Sequence, residues 1–114
     1  MVEWTLISDR DGEWHEYLLM CGSTPVAHAK WRKHGNDAEI HNDVYRKGKE
    51  ALQHIRSAFE DVKADMKAEG VEKVIVMSDH HNKTMGHYWK LMGFEFMDTY
   101  EDGTHTVRYA VMEV

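Results

Sequence analysis

The sequence predicts a mixed α/β fold in which one sheet carries two helices. Three observations predict it. Short strand-like runs separated by turn signals fill residues 1–44, a long stretch then switches to helical periodicity, and an unbroken apolar run follows it directly. Strands first and a helical crossover later specify an antiparallel meander joined to a βαβ unit.

The elements follow in order. Trp4 to Ser8 alternates loosely, and Asp11-Gly12 marks a hairpin. Trp14 to Cys21 is rich in aromatic and aliphatic residues, and Gly22-Ser23-Thr24-Pro25 turns the chain again. Val26 to Lys33 alternates, with Val26, His28, Lys30 and Arg32 on one side and Ala27, Ala29 and Trp31 on the other. After His34-Gly35-Asn36-Asp37 a fourth strand runs from about Ala38 to Val44. Leu52, Ile55, Phe59, Val62 and Met66 then recur at three and four residues, which makes an amphipathic helix of about 20 residues and 30 Å. Gly70 supplies its left-handed cap. Val74-Ile75-Val76-Met77 is apolar without alternation, as expected of a strand covered on both faces. Asn82 can cap a second helix, Lys83 to Met92, which Gly93 ends. Strands at about Glu95 to Tyr100 and Thr106 to Val114 complete the order ββββ-α-β-α-ββ, and the final strand is expected to offer an edge on which a homodimer could pair.

Composition narrows the function. At 114 residues the chain is expected to form one domain over 1–114, with 42% hydrophobic and 30% charged residues. Surface scaling predicts roughly 6,500 Å² exposed when folded. No apolar run reaches the roughly 18 residues of a membrane helix. The first residues have no signal-peptide pattern and Cys21 is the only cysteine, so a cytoplasmic setting and no internal disulfide are expected. A net charge of −6 argues against nucleic acid as a partner. Cys21 ends an apolar strand and reads as a small core hydrophobe. Nine histidines are many for this length, but His80-His81 with His87 matches no standard zinc spacing, and no metal is expected.

Two places carry chemistry. Arg46, Lys47 and Lys49 flank Gly48 where the long helix begins, and free N–H groups at a helix start already favour an anion. Glu39, His41 and Asp43 share one face of the fourth strand, opposite Ile40, Asn42 and Val44. A carboxylate and a histidine there can remove a proton, and histidine does so near neutrality.

The element order, with NKTMGHYWKLMGF from Asn82 to Phe94, resembles the GCN5-related N-acetyltransferase (GNAT) family. Asn82, Met85, Gly93 and Phe94 fall on the family's pattern, and the likeness runs from about Ala38 to Val114. It implies a GNAT-like mixed sheet and transfer of an acyl group from acetyl-CoA to an amine on a small molecule or a protein. It implies further that the backbone at Gly48 holds the pyrophosphate, with Val44, Tyr45, Arg46, Lys47, Lys49 and Asn82 about the cofactor. Aligning Gly48 with the first glycine of the family's loop puts Tyr45 at its Gln/Arg position and Glu50 at its final Gly/Ala. Trp89 stands where the family commonly has the tyrosine that protonates the leaving thiolate, and Tyr88, one residue earlier, is the candidate acid. The family often takes its general base from the fourth strand, which nominates Glu39 or His41. The helices that many members carry between the first two strands have only Asp9 to Glu13 here, so the acceptor side is expected to be open or completed by another chain. The alternative is a GNAT-fold protein that has lost catalysis and acts by binding another protein. Small GNAT-like proteins encoded by bacterial viruses look similar in size and looseness of motif.

Overall fold

The structure, a computed structural model, describes residues 2–79, 83–102 and 105–114. The elements are β1 (Trp4–Asp11), β2 (Trp14–Cys21), β3 (Thr24–His34), β4 (Asp37–Val44), α1 (Lys49–Ala68), β5 (Lys73–Asp79), α2 (Lys83–Leu91), β6 (Glu95–Asp102) and β7 (His105–Glu113). Among the described residues the seven strands form one mixed sheet in the order β1-β2-β3-β4-β5-β7-β6. This is the expected fold class and element order.

The first four strands form a meander closed three times by the same device. Asp11 pairs Trp14, Cys21 pairs Thr24 and His34 pairs Asp37, so each hairpin has a two-residue loop. Each loop begins with glycine, at φ 61, 63 and 60, a conformation that carries the right-handed twist through the turn without a Cβ clash. Because β1 runs straight into β2 through such a turn, no helix separates them.

Helix α1 buries Ala51, Ile55, Phe59, Val62 and Met66, the stripe its periodicity specifies. It stops where expected. Gly70 has φ 81, its N–H donates to Lys67 O, and the Val71 N–H donates to Met66 O, the paired bonds of a Schellman cap. Trp31, Met66, Val26 and Val74 are the most deeply buried large side chains. The Trp31 indole donates to Tyr17 Oη (3.0 Å), which donates to Asp65 on α1 (2.9 Å), so a polar chain ties the meander to the helix.

Both helices lie on one face of the sheet. Phe59 of α1 stacks on Phe94, and Trp89 of α2 meets the same ring edge-on. Strand β5 is therefore covered on one side only: Val74 and Val76 are buried, whereas Met77 is 54% exposed. This corrects the two-sided burial read from its apolar run. The surface of 7403 Å² exceeds the roughly 6,500 Å² of a compact chain this size, as a sheet with one bare face requires. The second correction concerns the final strand. Strand β7 pairs both β5 and β6, so it is interior, and the sheet edges are β1 and β6.

Candidate functional site

The sheet opens between β4 and β5. Their parallel pairing is confined to Asp37–Lys73, Ala38–Val74 and Glu39–Ile75. Beyond Glu39 the two strands part, and the end of β4 leads into the loop before α1.

A cleft of about 350 Å³ lies where that loop, α1 and α2 meet. Val44, Arg46, Lys47, Gly48 and Lys49 line one side, with Leu52 and Ile55 of α1 and His87, Tyr88 and Leu91 of α2 completing it. The structure thus brings together the basic loop and Tyr88, which lie 40 residues apart in the chain. Gly48 is the N-cap of α1 at φ 118 and ψ 166, and no side chain caps the helix start. The first N–H groups of a helix have no partner within it. Open space surrounds Gly48, for a Cβ built there would meet nothing within 4 Å. The Tyr45 and Arg46 N–H groups are already given to Val26 O, at 2.8 and 3.2 Å, so any anion falls to Gly48 and the first turn. Arg46 also stacks its guanidinium over Trp4, 5.6 Å from the ring centre.

Tyr45 stands apart from the other loop residues. It is 57% exposed and does not line the cleft. Glu50, which the family pattern places where a bare backbone is wanted, is exposed and absent from the cleft wall as well. Asn82 lies outside the described residues, as do His80 and His81. Among the described residues no group of three His, Cys, Asp or Glu side chains is placed to hold a metal ion.

Tyr88 and Trp89 divide their work. Trp89 is 3% exposed and packs into the core, while Tyr88 faces the cleft. The Tyr88 hydroxyl accepts a hydrogen bond from Asn42 Nδ2 at 2.7 Å. Burial pushes that hydroxyl up to about 12, against the smaller opposing pull of Asn42. Tyr88 therefore keeps its proton throughout the physiological range. Asn42 is a site residue that sequence reasoning missed. The signal was a polar side chain on the face of β4 whose neighbour Ile40 is buried. His87, Leu52 and Ile55 were likewise found only through the geometry of the cleft.

Glu39 and His41 project from the opposite face of β4, which no helix covers. Glu39 Oε1 accepts from Arg32 Nε (2.6 Å) and pairs with His34 Nε2 (2.7 Å), while its Oε2 meets His41 Nε2 (2.8 Å). Trp14 floors the cluster, with Lys30 and Arg32 over its ring at 4.7 and 4.6 Å and His41 edge-on. Burial raises the Glu39 carboxyl, but the bonds from Arg32, His34 and His41 outweigh it and hold the group at about 2. Its folded value thus lies below the ordinary 4.5, so the unfolded chain binds more protons between them. The stability Glu39 contributes is present above about 4.5 and is lost as pH falls towards 2. A carbon-detected NMR titration should place the Glu39 carboxyl midpoint near 2; a midpoint at the ordinary value would contradict the cluster.

No protein-family profile matches the sequence, and no curated protein matches it. Solved structures do. The GNAT domain of S. lividans PAT superposes with a TM-score of 0.73 at 15% identity, over 90% of this chain and 61% of that one. The ribosomal-protein-S18-alanine N-acetyltransferase from Escherichia coli gives 0.69 at 13%, over 91% and 71%. This is the GNAT fold. AAC(6')-Ib, solved with paromomycin and acetyl-CoA, gives 0.69 at 14%, over 89% and 65%. The chain spans about two thirds of the length of these GNAT-fold neighbours.

Proposed function

We propose that the chain is an N-acyltransferase that takes an acetyl group from acetyl-CoA and delivers it to an amine. The observation that carries this is the cleft at the β4–β5 split, where an uncapped helix start, three cations and a protonated tyrosine line one space. The residues fit the cofactor: open room around Gly48 suits a close pyrophosphate, and Arg46, Lys47 and Lys49 bring positive charge into an otherwise acidic chain. Val44, Leu52 and Ile55 give an apolar border for a pantetheine arm. When bound, acetyl-CoA supplies the activated acetyl group.

The chain's own groups then divide the proton work. The acceptor is a small-molecule or protein amine, and the uncovered face of β4 is where it enters. His41 receives its proton at Nδ1, because Nε2–H donates to Glu39. Glu39 is itself too weak a base, held at about 2, and serves to orient the imidazole. On the cleft side the Tyr88 hydroxyl, which accepts from Asn42, keeps its own O–H as the donor that would serve the leaving thiolate. Moving that proton fully onto an ordinary thiolate would run uphill by about 5 kcal/mol, given a thiol near 8.5 and Tyr88 at about 12. Tyr88 would accordingly act on the leaving group by donating a hydrogen bond rather than by giving up the proton early.

The competing reading, a catalytically degenerate binding protein, rests on Glu50, on Trp89 and on the two-residue β1–β2 connection, which leaves the acceptor side open. Glu50 stands away from the cleft wall and Trp89 packs in the core, which favours the enzyme reading. Binding of acetyl-CoA, measured calorimetrically, is the experiment that tests the proposal.

A further inference from the structure

Beside the cleft, between the sheet and α1, lies a second space of about 40 Å³. A single water needs roughly 10–15 Å³. Its wall is almost wholly apolar, with Ala27 and Ala29 of β3, Ile40 of β4 and Ala58 of α1 among its residues. Three small side chains thus line the space where a filled core would set larger ones, and filling such a gap stabilises a fold that has no use for it. A space walled this way favours apolar matter over water. Ile55 and Tyr88 line both this void and the cleft, so the two spaces adjoin at those side chains.

We infer that the void is an acyl-chain pocket, and that the protein prefers a thioester of about four carbons to acetyl-CoA. The inference rests on the acyltransferase reading, since the chain must reach the void past Tyr88. Its occupant is fixed by that continuity: whatever enters from the reacting end of the cleft must be apolar and narrow, as the tail of a butyryl group is. No new bond chemistry is involved, only the length of the group carried.

Calorimetric titration of the whole protein with CoA, acetyl-CoA and butyryl-CoA tests it. Each buried methylene is worth about fourfold in affinity, so butyryl-CoA should bind roughly fifteenfold tighter than acetyl-CoA. Ala58→Leu and Ala29→Val each fill the void, and in either variant the ratio of the two affinities should fall to about one. Thermal melting checks that each variant is folded, and the wild-type ratio stands as a test without them. Butyryl-CoA binding no tighter than acetyl-CoA would overturn the inference, as would a preference that survives both variants. If the three ligands bind alike, the inference alone falls; if none binds, the acyltransferase reading falls and takes the inference with it.

Discussion

Replacing Tyr88 by phenylalanine is expected to lower kcat by about 10²- to 10³-fold while leaving KM for acetyl-CoA nearly unchanged. The change deletes one oxygen, and that oxygen is held at the cleft by Asn42 at 2.7 Å. A positioned donor acting on charge that develops only in the transition state contributes about 2.7–4 kcal/mol. Such a loss appears in kcat and not in ground-state binding. The ring remains, so packing against Trp89 is kept. Asn42 loses its acceptor, which costs about 1–3 kcal/mol of stability and is readable separately by thermal melting. Thiol release from acetyl-CoA in the presence of an amine acceptor measures the rate. A Tyr88→Phe enzyme within threefold of the parent would remove Tyr88 from the mechanism.

Gly48→Asp should weaken acetyl-CoA binding by roughly 150-fold, the second large effect. The added carboxylate would face a pyrophosphate at the uncapped start of α1, and a like charge at about 5 Å costs roughly 3 kcal/mol at an effective dielectric of 20. Backbone strain contributes as well, because φ 118 is a region that L side chains rarely adopt. Gly48→Ala separates the two contributions. It carries the same strain without the charge and meets open space, so it should lower the melting temperature yet keep most of the affinity. Equal affinity in the aspartate variant and the parent would refute the loop as the anion site.

Much of this architecture is local enough to be read directly. The hairpin glycines at 12, 22 and 35, the spacing from Leu52 to Met66 and the cap at Gly70 each act over a few residues, and the structure has them all. Two features depend on the order of strands in space and were misjudged. An apolar run such as Val74 to Met77 does not say how many faces are covered, and here α1 and α2 share one face. The last strand is interior because β7 inserts between β5 and β6, which connectivity alone does not reveal. The candidate site shows the same division. Gly48 with its cations was legible as a helix start, and the parity of β4 placed Glu39 and His41 together. What was not legible is the distant partnership. Asn42 meets Tyr88 across 46 residues, and Glu39 is claimed by Arg32 and His34 from the neighbouring strand. Those contacts are the reason we propose Glu39 as an orienting group rather than a base.

If the cleft at the β4–β5 split holds acetyl-CoA, as proposed, thermal unfolding with and without the cofactor will register it. At 100 times the dissociation constant, a ligand bound only by the folded chain adds about 2.7 kcal/mol of stability. For a chain of 114 residues that is a rise of roughly 10 °C in melting temperature. This rise is expected in the parent and is lost in Gly48→Asp. An unchanged melting temperature at millimolar acetyl-CoA would contradict it.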